Sequence, residues 1–256
     1  MVADVSGDGN DGQGMTVPIP ELPERAGRRR ALYVVAKQPA AGQTKTRLCP
    51  PLNGEEAASL YSAFLADTLD IMRSVPGVQR GIAYLPHDAR SYFHSLAPEM
   101  DLLLQQGETL GERLDALITH ALANGAIQAV VMDSDSPTLP PEYVAQAFEM
   151  LDGGADAVFG PCRDGGYYLV GMARPLPALL REVQMSTPTV LVDTLAIAAR
   201  DGARVALLPE WYDVDTGAEL SHLAQELRRA NKTMAQHTRR SLAALAWSPN
   251  GHDAPP

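Results

Sequence analysis

Cysteine is scarce here: Cys49 and Cys162 are the only two in 256 residues. Two cysteines build no disulfide framework, and their surroundings lack metal-ligand spacing, so each reads as a small buried hydrophobe in a reducing compartment. Positive charge is also in deficit, with 21 Lys and Arg against 31 Asp and Glu and a net charge of −10. Proteins that bind nucleic acid or anionic membrane generally rely on clustered Lys and Arg, so this balance argues against both partners. No apolar run approaches the length of a membrane span, and no signal-peptide core stands at the N-terminus, so a cytoplasmic location is expected. What is present is 45% hydrophobic residues, enough for one large globular domain.

Three regions are expected. Residues 1–29, rich in Gly, Asp, Asn, Pro and Glu, have little to bury and read as a disordered extension. "GDGNDG" within them matches G-x-G-x-x-G by letter, but no strand precedes it and no helix follows. Residues 30–235 read as a single domain, and 236–256 as a helical and then loose tail. Within the domain, short apolar runs such as "ALYVVA", "RGIAYLP" and "IQAVVMD" alternate with helical patterns. The clearest is Gly54–Ser74, with apolar residues at Ala57, Leu60, Tyr61, Phe64, Leu65, Leu69 and Met72. The alternation predicts a three-layer α/β fold with a mostly parallel sheet. In such sheets, ligands bind beyond the carboxyl ends of the strands.

Four segments follow strands and carry chemistry. "AKQPAAGQTKTRL" is not a P-loop, since Thr44 rather than Gly precedes Lys45. Pro39 and Gly42 nevertheless set a turn that brings Lys37, Lys45 and Arg47 together, an arrangement suited to phosphate. Composition alone supports that anion site and a plain solvated basic loop equally. In "VVMDSDSPTLPPEY", Asp133 and Asp135 flank Ser134 at a strand end; one could ligate a hard divalent cation and the other contact a ribose or an ordered water. Helix-capping turn chemistry explains the same letters. In "WYDVDTGAEL", Thr216 and Glu219 fit a capping box, whereas Asp215 is unexplained by capping and would join Asp135 on a cation if the sheet brings them together. In "GPCRDGGYYLVG", Asp164-Gly165-Gly166 signals a hairpin. The functional alternative makes it a pocket wall, with the glycines and Tyr167 or Tyr168 against substrate and Asp164 on a sugar hydroxyl or acting as base. Glu112 and Arg113 in "QGETLGERL" read as a surface pair.

These segments, together with "STPTVLVDTL", stand in the order found in the DUF2064 family, and the resemblance runs from Ala31 to Leu227. That family is GT-A-like, and its members are often described as arsenosugar-type glycosyltransferases. The K-T-R-L loop, the D-x-P strand end and the D-x-D-T ending also resemble cofactor guanylyltransferases and, more distantly, molybdenum-cofactor nucleotidyltransferases. The resemblance implies a nucleotide bound over the first strand's loop, with Lys37, Gly42, Lys45 and Arg47 facing phosphates and Asp135 and Asp215 on Mg²⁺ or Mn²⁺. Two positions depart from the pattern: Asp133 stands where a small residue such as Gly is expected, and Met185 where an aromatic is.

The leading expectation is therefore a metal-dependent glycosyltransferase moving sugar from a nucleotide-diphosphate donor to a small-molecule acceptor, with Asp164 as base. A nucleotidyltransferase releasing pyrophosphate is the nearest rival, and a nucleotide-binding module without turnover is the third. Donor base, donor sugar, acceptor and oligomeric state are not written in these motifs.

Overall fold

In the computed structural model, which describes residues 29–245 and 247, strands and helices alternate along most of the chain. The order is β1 (Arg29–Lys37), α1 (Gly54–Ser74), β2 (Val78–Leu85), α2 (Arg90–Leu96), β3 (Asp101–Leu104), α3 (Leu110–Ala123), β4 (Ala126–Met132) and α4 (Pro141–Asp152). Then come β5 (Ala157–Pro161), β6 (Tyr167–Met172), α5 (Ala178–Arg181), α6 (Val190–Arg200), β7 (Val205–Leu207), α7 (Gly217–Arg229) and α8 (Gln236–Ala244). The expected N-terminal extension and the "GDGNDG" match lie outside the described residues. No helix among the described residues is long and apolar enough to cross a membrane.

The seven strands form one sheet in the order β3-β2-β1-β4-β6-β5-β7. Every pairing is parallel except those of β6, which runs antiparallel to β4 and to β5. The exception follows from chain length: only residues 162–166 join β5 to β6, too few for the crossover that a parallel neighbour requires. The Asp164-Gly165-Gly166 segment is thus the hairpin that its letters also signalled. Gly165 has φ +91°, and a Cβ there would stand 1.9 Å from the Pro188 carbonyl oxygen. This glycine is fixed by backbone meeting backbone.

Alternation along β1 feeds two cores. Leu32, Val34 and Ala36 pack with Leu65, Leu69 and Met72 of α1, Phe93 of α2 and Phe148 of α4. On the opposite face Ala31 and Tyr33 meet α3 through Leu114, Leu117 and Ile118, with Leu179 and Leu180 of α5 and Ala198 of α6. Helices therefore cover both sides, giving the three layers expected. Helix α1 is apolar on a second side as well, where Leu60, Tyr61 and Phe64 join Leu220, Leu223 and Leu227 of α7 and Leu242 of α8 in a third cluster. The segment expected to begin a tail at residue 236 is in fact docked there: buried Asp67 of α1 accepts the main-chain N–H groups of His237 and Thr238 at 3.0 and 2.7 Å. That carboxylate satisfies two donors left free at the start of α8.

The chain runs β1-β2-β3 toward one edge, then crosses back to lay β4 on the other side of β1. The carboxyl ends of β1 and β4 therefore flank the point where the strand order reverses, and a crevice opens there in folds of this kind. The segments 38–53 and 133–140 leave the sheet at that point.

Candidate active site

A cavity of about 460 Å³ lies at this crevice. Lys37, Lys45, Arg47, Asp133, Asp135 and Asp215 all line it. Its walls are tied together by main chain. The Val214 N–H donates to the Asp135 carbonyl at 2.9 Å, which draws the 212–215 segment beside the end of β4. The capping box at α7 then fixes the exit of that segment: Thr216 accepts from Ala218 N–H, and Glu219 accepts from Thr216 N–H at 2.6 Å. Beneath the β1 loop, Lys37 N–H donates to Tyr61 Oη at 3.2 Å, and Tyr61 meets buried Ser134 Oγ at 2.8 Å. Ser134 Oγ in turn donates to the Val35 carbonyl at 3.1 Å. Burial, with Asp135 close by, pushes the Tyr61 phenol up to about 12, so this chain stays neutral and structural.

Lys45 is the centre of the site. Its Nζ lies 2.8 Å from Asp135 Oδ1 and 2.7 Å from Asp215 Oδ1, and only 6% of its side chain is exposed. Burial by itself would lower the ammonium's pKa, but the two carboxylates outweigh it and hold the group above its ordinary value. Arg47, 68% exposed, reaches Asp215 Oδ2 at 3.0 Å from the solvent side. Gly42 has φ +71° at the tip of the turn and leads into Gln43 and Thr44, which line the cavity. Thr44 Oγ1 accepts from Ala40 N–H and donates to Ala40 O, closing the turn on itself.

Asp133 opens the Asp-Ser-Asp turn, where its Oδ1 accepts the Asp135 N–H at 3.2 Å and Ser136 Oγ donates to its Oδ2 at 3.3 Å. Burial first, then the charges of Asp135 and Asp213, push its carboxyl well above the usual carboxylate range. Asp213 is raised to about 6 by burial and by Asp215 and Asp164. Three aspartates, Asp133, Asp135 and Asp215, thus line the crevice beside a single buried lysine, which the latter two hold directly.

The hairpin residues stand apart from the cavity. Asp164 Oδ1 accepts the Gly166 N–H at 2.8 Å, stabilising its own turn, and its carboxylate lies near Asp213 and Cys162. Tyr167 turns its ring edge onto Phe159 and its hydroxyl to Met185 Sδ at 3.4 Å. Tyr168 is fully buried and donates to the Pro209 carbonyl. Neither ring lines the cavity, because alternation along β6 sends both into the cores. Arg113 is not paired with Glu112. Glu112 accepts from Glu108 and Thr109 N–H as a cap of α3, while Arg113 donates to the Gly107 and Glu108 carbonyls and lines the cavity. Gln105 also lines this cavity and donates to the Ala83 carbonyl at 2.8 Å. A lone glutamine after a strand gives no sequence signal.

The donor set suits a hard cation. Asp135 and Asp215 each place an oxygen within 2.8 Å of one point, now filled by Lys45 Nζ, and both side chains remain about one-third exposed, leaving room for further oxygen ligands. Two other groups of metal-ligating side chains occur among the described residues: Asp67-Asp70-His237, where Asp67 is already engaged with α8, and Cys162-Asp164-Asp213.

Residues 68–187 match the family DUF2064, described as an uncharacterized protein conserved in bacteria. A solved structure of a candidate nucleotide-diphospho-sugar transferase from Desulfovibrio desulfuricans G20 is 31% identical, covering 84% of this chain and 96% of its own, with a TM-score of 0.78. The chain belongs to the DUF2064 family. Its similarity extends to the phosphoenolpyruvate guanylyltransferase of Nocardia farcinica (strain IFM 10152), 27% identical over 236 residues, 88% of this chain and 97% of that protein. The 4-diphosphocytidyl-2C-methyl-D-erythritol synthase of Anaerococcus prevotii DSM 20548, at 14% identity and a TM-score of 0.53, covers 79% of this chain and 97% of its own and shares the fold alone. This chain therefore carries the nucleotide-diphospho-sugar transferase, GT-A-like fold.

Proposed function

We propose that this DUF2064 protein is a metal-dependent transferase that binds a nucleotide polyphosphate over the β1 loop and transfers sugar from a nucleotide-diphosphate donor to a small-molecule acceptor. The observation that carries the reading is the shared cavity: three cationic side chains of one loop and three carboxylates from two later segments line the same crevice. The 31% identity to the Desulfovibrio desulfuricans protein supports the donor class.

In this reading Lys45 and Arg47 take phosphate oxygens, with Arg47 offering a two-pronged contact from the solvent side and Lys37 adding charge at the mouth. Gly42 lets the turn approach the nucleotide. Asp133 orders the Asp-Ser-Asp turn and contacts the ribose or an ordered water. A divalent ion, Mg²⁺ or Mn²⁺, held by Asp135 and Asp215 would neutralise charge on the departing diphosphate. Because the Val214 N–H to Asp135 carbonyl bond ties the 212–215 segment to the end of β4, Asp135 and Asp215 are set side by side before substrate arrives. On the acceptor side, Asp164 is the proposed base, with Gly165, Gly166 and Tyr167 shaping the hairpin that carries it.

Nucleotidyl transfer is the second reading. Three loop cations suit the greater charge of a triphosphate, and the full-length similarity to a guanylyltransferase supports it. Product identity separates the two. Incubation of nucleotide sugars with a mixed acceptor pool and Mg²⁺ should release a nucleoside diphosphate, and a parallel incubation with nucleoside triphosphates should release no pyrophosphate. Pyrophosphate as the product would establish the second reading. Tight nucleotide binding with neither product would reduce the protein to a binding module.

A further inference from the structure

The Asp135–Asp215 pair faces a cation that the chain itself supplies. Lys45 Nζ holds both carboxylates at 2.8 and 2.7 Å with its side chain 6% exposed. Its backbone stands at φ 51°, ψ 38°, in the left-handed region that a lysine occupies only at some cost. The turn thus directs this side chain inward rather than letting it trail into solvent. A hard divalent ion needs the same two oxygens. One ligand pair therefore serves two cations that cannot share it.

We infer that Lys45 is the resident cation of the Asp135–Asp215 pair, and that nucleotide phosphates and a divalent ion displace it together. The inference rests on the reading of those aspartates as metal ligands given above. An ion arriving alone must sit against a buried ammonium or push it into a crevice whose remaining carboxylate, Asp133, is already engaged by the Asp135 N–H and Ser136 Oγ. A polyphosphate in the cavity supplies a free anion, so the ammonium leaves the carboxylates for phosphate oxygen as the ion takes its place. The free protein then binds metal poorly and binds metal and nucleotide cooperatively, each tightening the other by the same factor. Arg47, on the outer oxygen of Asp215 in the free protein, turns from there to phosphate without leaving the rim.

The test is Mn²⁺ titration, followed by electron paramagnetic resonance, into the wild-type protein, Lys45→Met and Asp135→Asn. Each titration is run without nucleotide and with GDP or UDP, allowing for Mn²⁺ held by free nucleotide. Lys45→Met should bind Mn²⁺ without nucleotide about tenfold more tightly than wild type, or better, since each lost contact is a charge-assisted hydrogen bond. Nucleotide should tighten Mn²⁺ binding in wild type and far less in Lys45→Met. Equal Mn²⁺ affinity in wild type and Lys45→Met, abolished by Asp135→Asn, would overturn displacement while leaving the metal site standing. No Mn²⁺ binding at this pair under any condition would overturn the metal reading itself, and this inference with it. Should Lys45→Met fail to fold, the wild-type protein still decides: the Lys45 ammonium resonance should hold with Mg²⁺ alone and move with Mg²⁺ plus nucleotide. Movement with Mg²⁺ alone would overturn the inference.

Discussion

Replacing Arg47 with alanine separates a phosphate-binding loop from a solvated basic one. In the free protein Arg47 makes one ion pair, to Asp215 Oδ2 at 3.0 Å, with 68% of its side chain exposed. An exposed pair of this kind contributes about 0–1 kcal/mol, so the fold should lose little. A charge-assisted hydrogen bond to phosphate contributes about 1.5–3 kcal/mol, and that term appears only when nucleotide is bound. Setting the released Asp215 contact against it leaves a net loss of about 0.5–3 kcal/mol, a factor of roughly 2 to 150 in dissociation constant. Titration calorimetry with a nucleoside diphosphate and Mg²⁺ reads this directly, and a melting curve checks the fold. The reasoning is refuted if affinity is unchanged while the protein melts normally, because a cation on the phosphates cannot be removed without cost.

Other sites test the frame around the cavity. Gly165→Ala should destabilise by about 1–3 kcal/mol or more, since φ +91° and the 1.9 Å approach to the Pro188 carbonyl both exclude a Cβ; an unchanged melting temperature would contradict the hairpin's packing. Asp67→Ala should leave the His237 and Thr238 N–H groups unsatisfied, at about 1–3 kcal/mol, and release α8 first. Hydrogen exchange in residues 236–244 should then rise ahead of that in α1. Leu69→Ala, which empties a site between α1 and the sheet, should lose about 2–5 kcal/mol in chemical denaturation. Asp164→Asn should lower turnover while sparing donor affinity, and a loss confined to donor binding would remove it as the acceptor-side base.

The helices and strands were legible because their signals are local. Apolar spacing from Ala57 to Met72 gives α1 at its observed limits, and Thr216 with Glu219 marks the start of α7. The cation loop and the two aspartate segments were legible as types of residue at strand ends, and the sheet order brought them together at the β1/β4 reversal. What stayed hidden depends on contacts between distant parts of the chain. Arg113 looked like half of a surface pair, yet main-chain carbonyls of its own loop take its guanidinium. Tyr167 looked like a pocket wall, but the side of β6 that it occupies is set by pairing with β4 and β5. Helix α8 looked like the start of a tail because its dock is a carboxylate on α1, remote in sequence. The bridging of two aspartates by Lys45 could not be read from spacing, since it depends on the Val214–Asp135 main-chain bond.

The central measurement is thermal stability of the wild-type protein and Asp135→Asn across nucleotide sugars and triphosphates, each with and without Mg²⁺ or Mn²⁺. A ligand at a hundred times its dissociation constant adds about 2.7 kcal/mol, well within reach of a melting curve. At least one nucleotide should raise the wild-type midpoint, more so with metal, and the metal-dependent part should vanish in Asp135→Asn. A wild-type midpoint unmoved by every nucleotide and metal combination would contradict the account.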